Sequence, residues 1–96
     1  MTTLKHIERR LKEHKSYFVK KYKVKRLGIF GSYAYGRPTR RSDIDILVEF
    51  RAPIGLEFVD LAEELEKILH HKVDLVSRGA IKPKYFSYVK KDLHYV

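Results

Sequence analysis

The 96-residue sequence contains no cysteine, which excludes disulfide bonds and thiolate metal sites. It has no apolar run long enough to span a bilayer, and its first residues lack the apolar stretch of a signal peptide. A Gly-x-x-x-x-Gly-Lys-Ser/Thr motif is also missing, so a P-loop is excluded. A cytoplasmic protein without membrane attachment is the simplest interpretation.

The net charge of +9 is distributed unevenly along the chain. Residues 1–26 carry ten Lys or Arg against two Glu, a net +8, whereas the other seventy residues carry only +1. A basic segment of this kind suits a nucleic acid or an acidic partner protein. A solvated basic helix that binds no polyanion has the same composition, so both interpretations stay open.

The length and the apolar fraction of 44% predict one domain over residues 1–96. Apolar periodicity predicts helices at 3–22, 56–70 and 83–91, the first capped by Thr2 or Thr3. Short apolar runs predict strands at 26–30, 43–50 and 72–77, with a helical turn at 32–35 and a brief strand at 94–96. This order predicts an α/β domain of two or three layers, with a small mixed sheet flanked by helices.

Two aspartates interrupt the most apolar strand, at Asp43 and Asp45. Side chains alternate across a strand, so both carboxylates are predicted on one face. Aspartate is a poor strand former, and paired carboxylates repel each other unless a cation lies between them. Magnesium prefers oxygen ligands of this kind. The pattern therefore predicts a metal site, the alternative being a strand edge with solvated acids.

Asp74 is a third aspartate in an apolar strand. If this strand lies beside the strand of Asp43 and Asp45, Asp74 completes a carboxylate triad able to bridge two metal ions about 3.5–4 Å apart. It is then also a candidate to accept a proton from an attacking hydroxyl. The alternative is a strand-end acid near Lys72.

A Gly-Ser pair, Gly31 and Ser32, ends the strand that precedes the aspartates. Glycine permits a turn with positive φ, and the turn can offer backbone N–H groups and the serine hydroxyl to a phosphate. Gly36 is predicted to serve the same loop. Three arginines follow, Arg37, Arg40 and Arg41, and they could neutralise a triphosphate. Of these, Arg41 is the candidate phosphate-binding residue. Carboxylates beside a phosphate cradle suggest phosphoryl or nucleotidyl transfer.

Two other features are interpreted as structural. His70, His71 and His94 have no acids or histidines nearby at metal-ligand spacing, so they are not predicted ligands. The aromatic run of Tyr85, Phe86 and Tyr88 is predicted to pack a helix rather than to stack a base.

The Gly31-Ser32 pair, the ten intervening residues, Asp43-x-Asp45 and the later Asp74 together resemble the polymerase-β nucleotidyltransferase superfamily. Within it, the chain resembles the minimal nucleotidyltransferases (MNT proteins), which are often encoded beside HEPN-domain proteins as toxin–antitoxin pairs. The resemblance covers nearly the whole chain. One departure is Tyr35, where many members carry a basic residue, and it affects the expected phosphate contacts.

The resemblance implies a polymerase-β-like fold and transfer of AMP from ATP to a hydroxyl. Asp43, Asp45 and Asp74 would bind Mg²⁺ as catalytic acids, and Gly31 and Ser32 would bind the triphosphate. In HEPN-paired members the acceptor is expected to be a tyrosine of the toxin. Alternatives are transfer to RNA ends or a small molecule, with nucleic acid bound by the basic first helix, or an antitoxin that masks its partner without catalysis.

Overall fold

The computed structural model describes residues 2–96, which form three α-helices and four strands. In chain order these are α1 (Leu4–Tyr22), β1 (Val24–Phe30), β2 (Ile44–Phe50), α2 (Glu57–Leu69), β3 (Val73–Ser77), α3 (Pro83–Val89) and β4 (His94–Tyr95). The sheet order is β3-β2-β1-β4. β2 and β3 run parallel, and β1 is antiparallel to both β2 and β4. The predicted α/β class with a small mixed sheet is confirmed.

Helices α1 and α2 cover one face of the sheet and form the main core. The hydroxyl of Thr3 accepts a hydrogen bond from the backbone N–H of His6 and caps α1. The apolar side of α1 meets alternate residues of the strands, as the period-3.6 and period-2 patterns require. The fully buried residues of this core include Ile7, Leu11, Phe18, Leu27, Ile29, Ile44, Ile46, Val48, Leu61 and Leu65.

The opposite face of the sheet is covered only in part. Phe30 and Leu47 pack there against Ile81 and against Val89 of α3. Asp45 precedes Leu47 by two residues, so it lies on this same face, toward the end of the sheet. The short α3 thus closes a second, smaller core and leaves the aspartate end of the sheet open.

The observed bounds differ little from the predicted ones. β1 begins at Val24 instead of Arg26, because Val24 is buried and pairs with Phe50 across a register shift. β2 begins at Ile44, so Asp43 lies just before the strand. α3 ends at Val89, and a 3-10 turn, Lys90–Asp92, follows it. None of the helices within residues 2–96 has the length and hydrophobicity needed to cross a bilayer.

Candidate active site

The turn after β1 brings a glycine against a carboxylate. Gly31 opens a 3-10 turn, Gly31–Tyr33, with a φ of 73°, a conformation that favours glycine. A Cβ built on Gly31 would lie 2.0 Å from Oδ2 of Asp45. Gly31 is therefore required both for its backbone conformation and for the space that the Asp45 carboxylate occupies.

Asp45 and Asp74 lie side by side on the neighbouring parallel strands β2 and β3, where they are paired in register. Residues so paired project from the same face of a sheet. Burial raises the pKa of Asp45 to about 6, and the charge of Asp74, a hydrogen bond with Asp74 and the charge of Asp43 add to the rise. The structure thus joins the two segments that the sequence analysis singled out.

Asp43 has the smallest effect on the pKa of Asp45 among the causes named above. It is exposed, and it lies just outside the ladder of β2. Within residues 2–96, no three Asp, Glu, His or Cys side chains are arranged closely enough to hold a metal ion. The oxygen donors of Asp45 and Asp74 nevertheless fit magnesium, because a cation between them would offset the repulsion between the two carboxylates, which adds to the effect of burial on the pKa of Asp45.

A cleft of about 280 Å³ opens beside the two carboxylates. One side is formed by the end of the sheet with the Gly31 turn, and the other by α3 and the turn that follows it. Its lining residues are Phe30, Gly31, Tyr35, Asp45, Asp74, Val76, Tyr85, Tyr88, Val89 and Asp92. The cleft is large enough to hold part of a nucleotide.

The other predicted phosphate-binding residues lie outside the lining of this cleft. Ser32 is half-buried in the turn after Gly31. Gly36 has a φ of 80°, and nothing lies within 4 Å of a Cβ built on it. Arg41 is exposed in the loop before β2, where its backbone N–H donates to the hydroxyl of Thr39. The roles of these three residues stay predictions.

His71 supports the turn. Its Nδ1 lies 3.0 Å from the carbonyl oxygen of Lys72, so Nδ1 must carry the proton that it donates. Nε2 is then free to accept a hydrogen bond of 3.0 Å from the hydroxyl of buried Tyr33. Because Tyr33 belongs to the Gly31–Tyr33 turn, this contact ties the turn to the start of β3.

The α3 side of the cleft was missed by the sequence analysis. Phe86 is half-buried against the second core, as predicted, but Tyr85 and Tyr88 are 60% and 63% exposed. The packing prediction is therefore wrong for both tyrosines. Asp92 also lines the cleft, and no sequence motif pointed to it. Tyr85 and Tyr88 are three residues apart and share one face of α3, whereas Asp92 lies in the turn that follows the helix.

The raised pKa of Asp45 predicts a pH-dependent stability. Its pKa lies above its ordinary value in the folded state, so its ionisation opposes folding as pH rises from about 4 to about 6. We expect Asp45→Asn to stabilise the metal-free protein at pH 7 by about 1 kcal/mol, after allowance for partial exposure. That corresponds to a melting temperature about 4–8 °C higher.

Thermal melts in a chelator at pH 4 and pH 7 test this expectation. Most of the gain should be lost at pH 4, where the wild-type carboxyl is largely protonated in the folded state. Glu63→Gln, an exposed acid on α2, is the control and should show no such pH-dependent gain. Equal melting temperatures for wild type and Asp45→Asn at pH 7 would contradict the prediction.

Comparison with known proteins places this site in a family. The sequence model of the nucleotidyltransferase domain matches residues 11–95. A protein of Methanocaldococcus jannaschii is 48% identical over 98 residues, covering both chains completely. Protein adenylyltransferase MntA of Thermococcus cleftensis is 39% identical over 97 residues, covering all of this chain and 98% of that one.

Solved structures share the fold. A structure assigned to the minimal nucleotidyltransferases has a TM-score of 0.82 at 28% identity, covering 97% of this chain and 95% of that chain. A toxin–antitoxin structure with AMP-PNP has a TM-score of 0.69 at 27% identity, with coverages of 93% and 68%. The structure of a tri-AMPylated HEPN toxin of Shewanella oneidensis with its MNT antitoxin has a TM-score of 0.67 at 21% identity, covering 93% of this chain and 70% of that chain. At this identity the match shows a shared fold. The chain belongs to the nucleotidyltransferase domain family, with protein adenylyltransferase MntA among its homologues.

Proposed function

We propose that this chain is a Mg²⁺-dependent protein adenylyltransferase that silences a HEPN toxin by transferring AMP from ATP to one of its tyrosines. The observation that carries the proposal is the in-register pair of Asp45 and Asp74 against the Gly31 turn. The similarity to protein adenylyltransferase MntA of Thermococcus cleftensis supports protein adenylylation. The toxin–antitoxin structure with AMP-PNP supports an adenine nucleotide as the substrate.

Asp45 and Asp74 would hold magnesium, with Asp43 joining them from the residue before β2. When bound, the metal supplies charge stabilisation for the transferring phosphoryl group and the leaving pyrophosphate. The chain's own contribution is to hold two carboxylates at fixed positions on adjacent strands. Gly31 leaves the Asp45 carboxylate room at the mouth of the cleft.

The nucleotide would bind by its phosphates at the turn after β1. Backbone N–H groups of this turn and the hydroxyl of Ser32 are donors suited to phosphate oxygens. Gly36 and Arg41 belong to the loop that follows, and we assign them to the outer phosphates. Arg41 is exposed, so its guanidinium is free to approach a triphosphate from the loop.

In the reaction, the tyrosine oxygen attacks the α-phosphorus of ATP. A new O–P bond forms to AMP, the bond to the bridging oxygen breaks, and pyrophosphate leaves. We assign the phenolic proton to Asp74, which is exposed at the cleft and so can reach an incoming hydroxyl. The products are the AMP ester of tyrosine and pyrophosphate, so no oxidant or reductant is needed.

The acceptor is proposed to come from a partner protein. The cleft is open to solvent. Within residues 2–96, the side opposite the sheet is formed by the short α3 and the turn that follows it. A partner that closes the cleft would exclude water and position its own hydroxyl. In the Shewanella complex, whose antitoxin has this fold, the HEPN toxin is tri-AMPylated.

Transfer from ATP labelled at either the α- or the γ-phosphate tests the proposal. With a purified HEPN partner and Mg²⁺, we expect the α-label to appear on the partner and the γ-label to stay in pyrophosphate. Replacing the acceptor tyrosine of the partner by Phe should abolish labelling, as should chelation of the metal. α-Label that appears on RNA but not on the partner would reject the proposed acceptor.

A further inference from the structure

We propose that the α3 side of the cleft is the binding site for the adenine base of the nucleotide. Tyr85 and Tyr88 form this side together with Asp92, and Tyr35 lines the same cleft from the loop after β1. The inference rests on the proposed function for its ligand, ATP. It adds a base-binding role for residues to which neither the family pattern nor the phosphate contacts give one.

The exposure of these rings is the first support. Tyr35, Tyr85 and Tyr88 are 54%, 60% and 63% exposed, and all three line one cleft. Apolar surface gathered in a concave site is a feature of ligand binding, whereas scattered exposed side chains need no explanation. An adenine ring is planar and aromatic, and stacking on tyrosine would remove both surfaces from water.

The packing of helix α3 leaves two of its tyrosines facing the cleft. Val89 is buried in the second core and fixes the helix on the sheet. Tyr85 and Tyr88, one turn apart, then present their rings to the cleft instead of to the core. The ammonium of Lys91 lies 5.3 Å from the ring centroid of Tyr88 and takes one face of that ring, leaving the other for a base.

The charges of the cleft disfavour phosphate on the α3 side. Three carboxylates line the cleft, from Asp45, Asp74 and Asp92, and no Lys or Arg within residues 2–96 is among its lining residues. A phosphate beside Asp92 would be repelled by a carboxylate that lines the same cleft. An adenine base is neutral and carries an amino group that can donate to a carboxylate, so it suits this side.

Binding measurements separate the base from the phosphates. Affinities for AMP-PNP and for inorganic tripolyphosphate are measured with Mg²⁺ for wild type, Tyr85→Ala and Tyr88→Ala. Loss of a stacking contact should raise the Kd for AMP-PNP about 5- to 150-fold. The Kd for tripolyphosphate should stay unchanged, because that ligand has no base.

Matched variants control for folding and for general surface effects. Tyr85→Phe and Tyr88→Phe keep the rings and should keep wild-type affinity for AMP-PNP. Tyr17→Ala removes an exposed tyrosine of α1 that does not line the cleft, and it should leave AMP-PNP binding unchanged. Melting curves by circular dichroism establish that each variant is folded at the assay temperature.

Two outcomes would overturn the inference. One is wild-type protein that binds tripolyphosphate as tightly as AMP-PNP. The other is AMP-PNP affinity that is unchanged in both Ala variants while AMP transfer to the partner falls, which would assign the rings to the acceptor. Tyrosine-dependent AMP-PNP binding without any AMP transfer would support this inference and reject the proposed function, so the two failures are distinguishable.

Discussion

Asp45→Asn is expected to lower the rate of AMP transfer by at least about 10³-fold, the equivalent of several kcal/mol of lost charge stabilisation. Asn has the shape of Asp but no negative charge, so the pair that Asp45 forms with Asp74 across β2 and β3 would lose its affinity for a divalent cation. The measurement is the single-turnover rate with a saturating HEPN partner and ATP.

Asp60→Asn makes the same chemical change on the exposed side of α2, away from the cleft, and should keep the wild-type rate. Together with the expected stabilisation of metal-free Asp45→Asn, this would show an acid kept for chemistry at a cost in stability. A transfer rate for Asp45→Asn within a fewfold of wild type would remove Asp45 from the mechanism.

Gly31→Ala is expected to damage both stability and activity. Its φ of 73° is strained for any side chain, at about 1–3 kcal/mol. The added Cβ would also lie 2.0 Å from Oδ2 of Asp45, so the carboxylate must move away from the cleft. We therefore expect a lower melting temperature and a transfer rate reduced about as far as in Asp45→Asn.

Gly36→Ala separates these two effects on stability. Gly36 has a similar φ of 80°, but a Cβ added there would have nothing within 4 Å, so only the strain applies. Gly31→Ala should thus be the less stable of the two variants. Adding Asp45→Ala to Gly31→Ala should recover part of the loss, because the double change removes the clash. If Gly31→Ala melts no lower than Gly36→Ala, the close contact with Asp45 is wrong.

The elements could be predicted because their apolar periods are strong. Every predicted helix and strand occurs, with bounds within two residues of the predicted ones. That the strands of Asp45 and Asp74 are neighbours could also be predicted, since a strand, a helix and a strand in succession commonly form adjacent parallel strands. The register that aligns the two acids could not, because it depends on where α2 ends and β3 begins.

Two parts of the site could not be predicted. Alternation determines the face of a side chain only inside the ladder, and β2 begins at Ile44, so the position of Asp43 on the face of Asp45 stays a prediction. Tyr85 and Tyr88 were assigned to packing, but tyrosine occurs both in cores and on binding surfaces, so the residue type does not distinguish the two. Their exposure follows from how Val89 and Phe86 seat α3 on the sheet, which is a property of the tertiary structure.

The intact mass of the HEPN partner, co-expressed with this chain, tests the central claim most directly. We expect the partner to gain one or more AMP units with the wild-type chain and none with the Asp43→Ala, Asp45→Ala double variant. A partner that gains AMP from the double variant, or that is fully neutralised without any gain in mass, would contradict carboxylate-dependent AMP transfer.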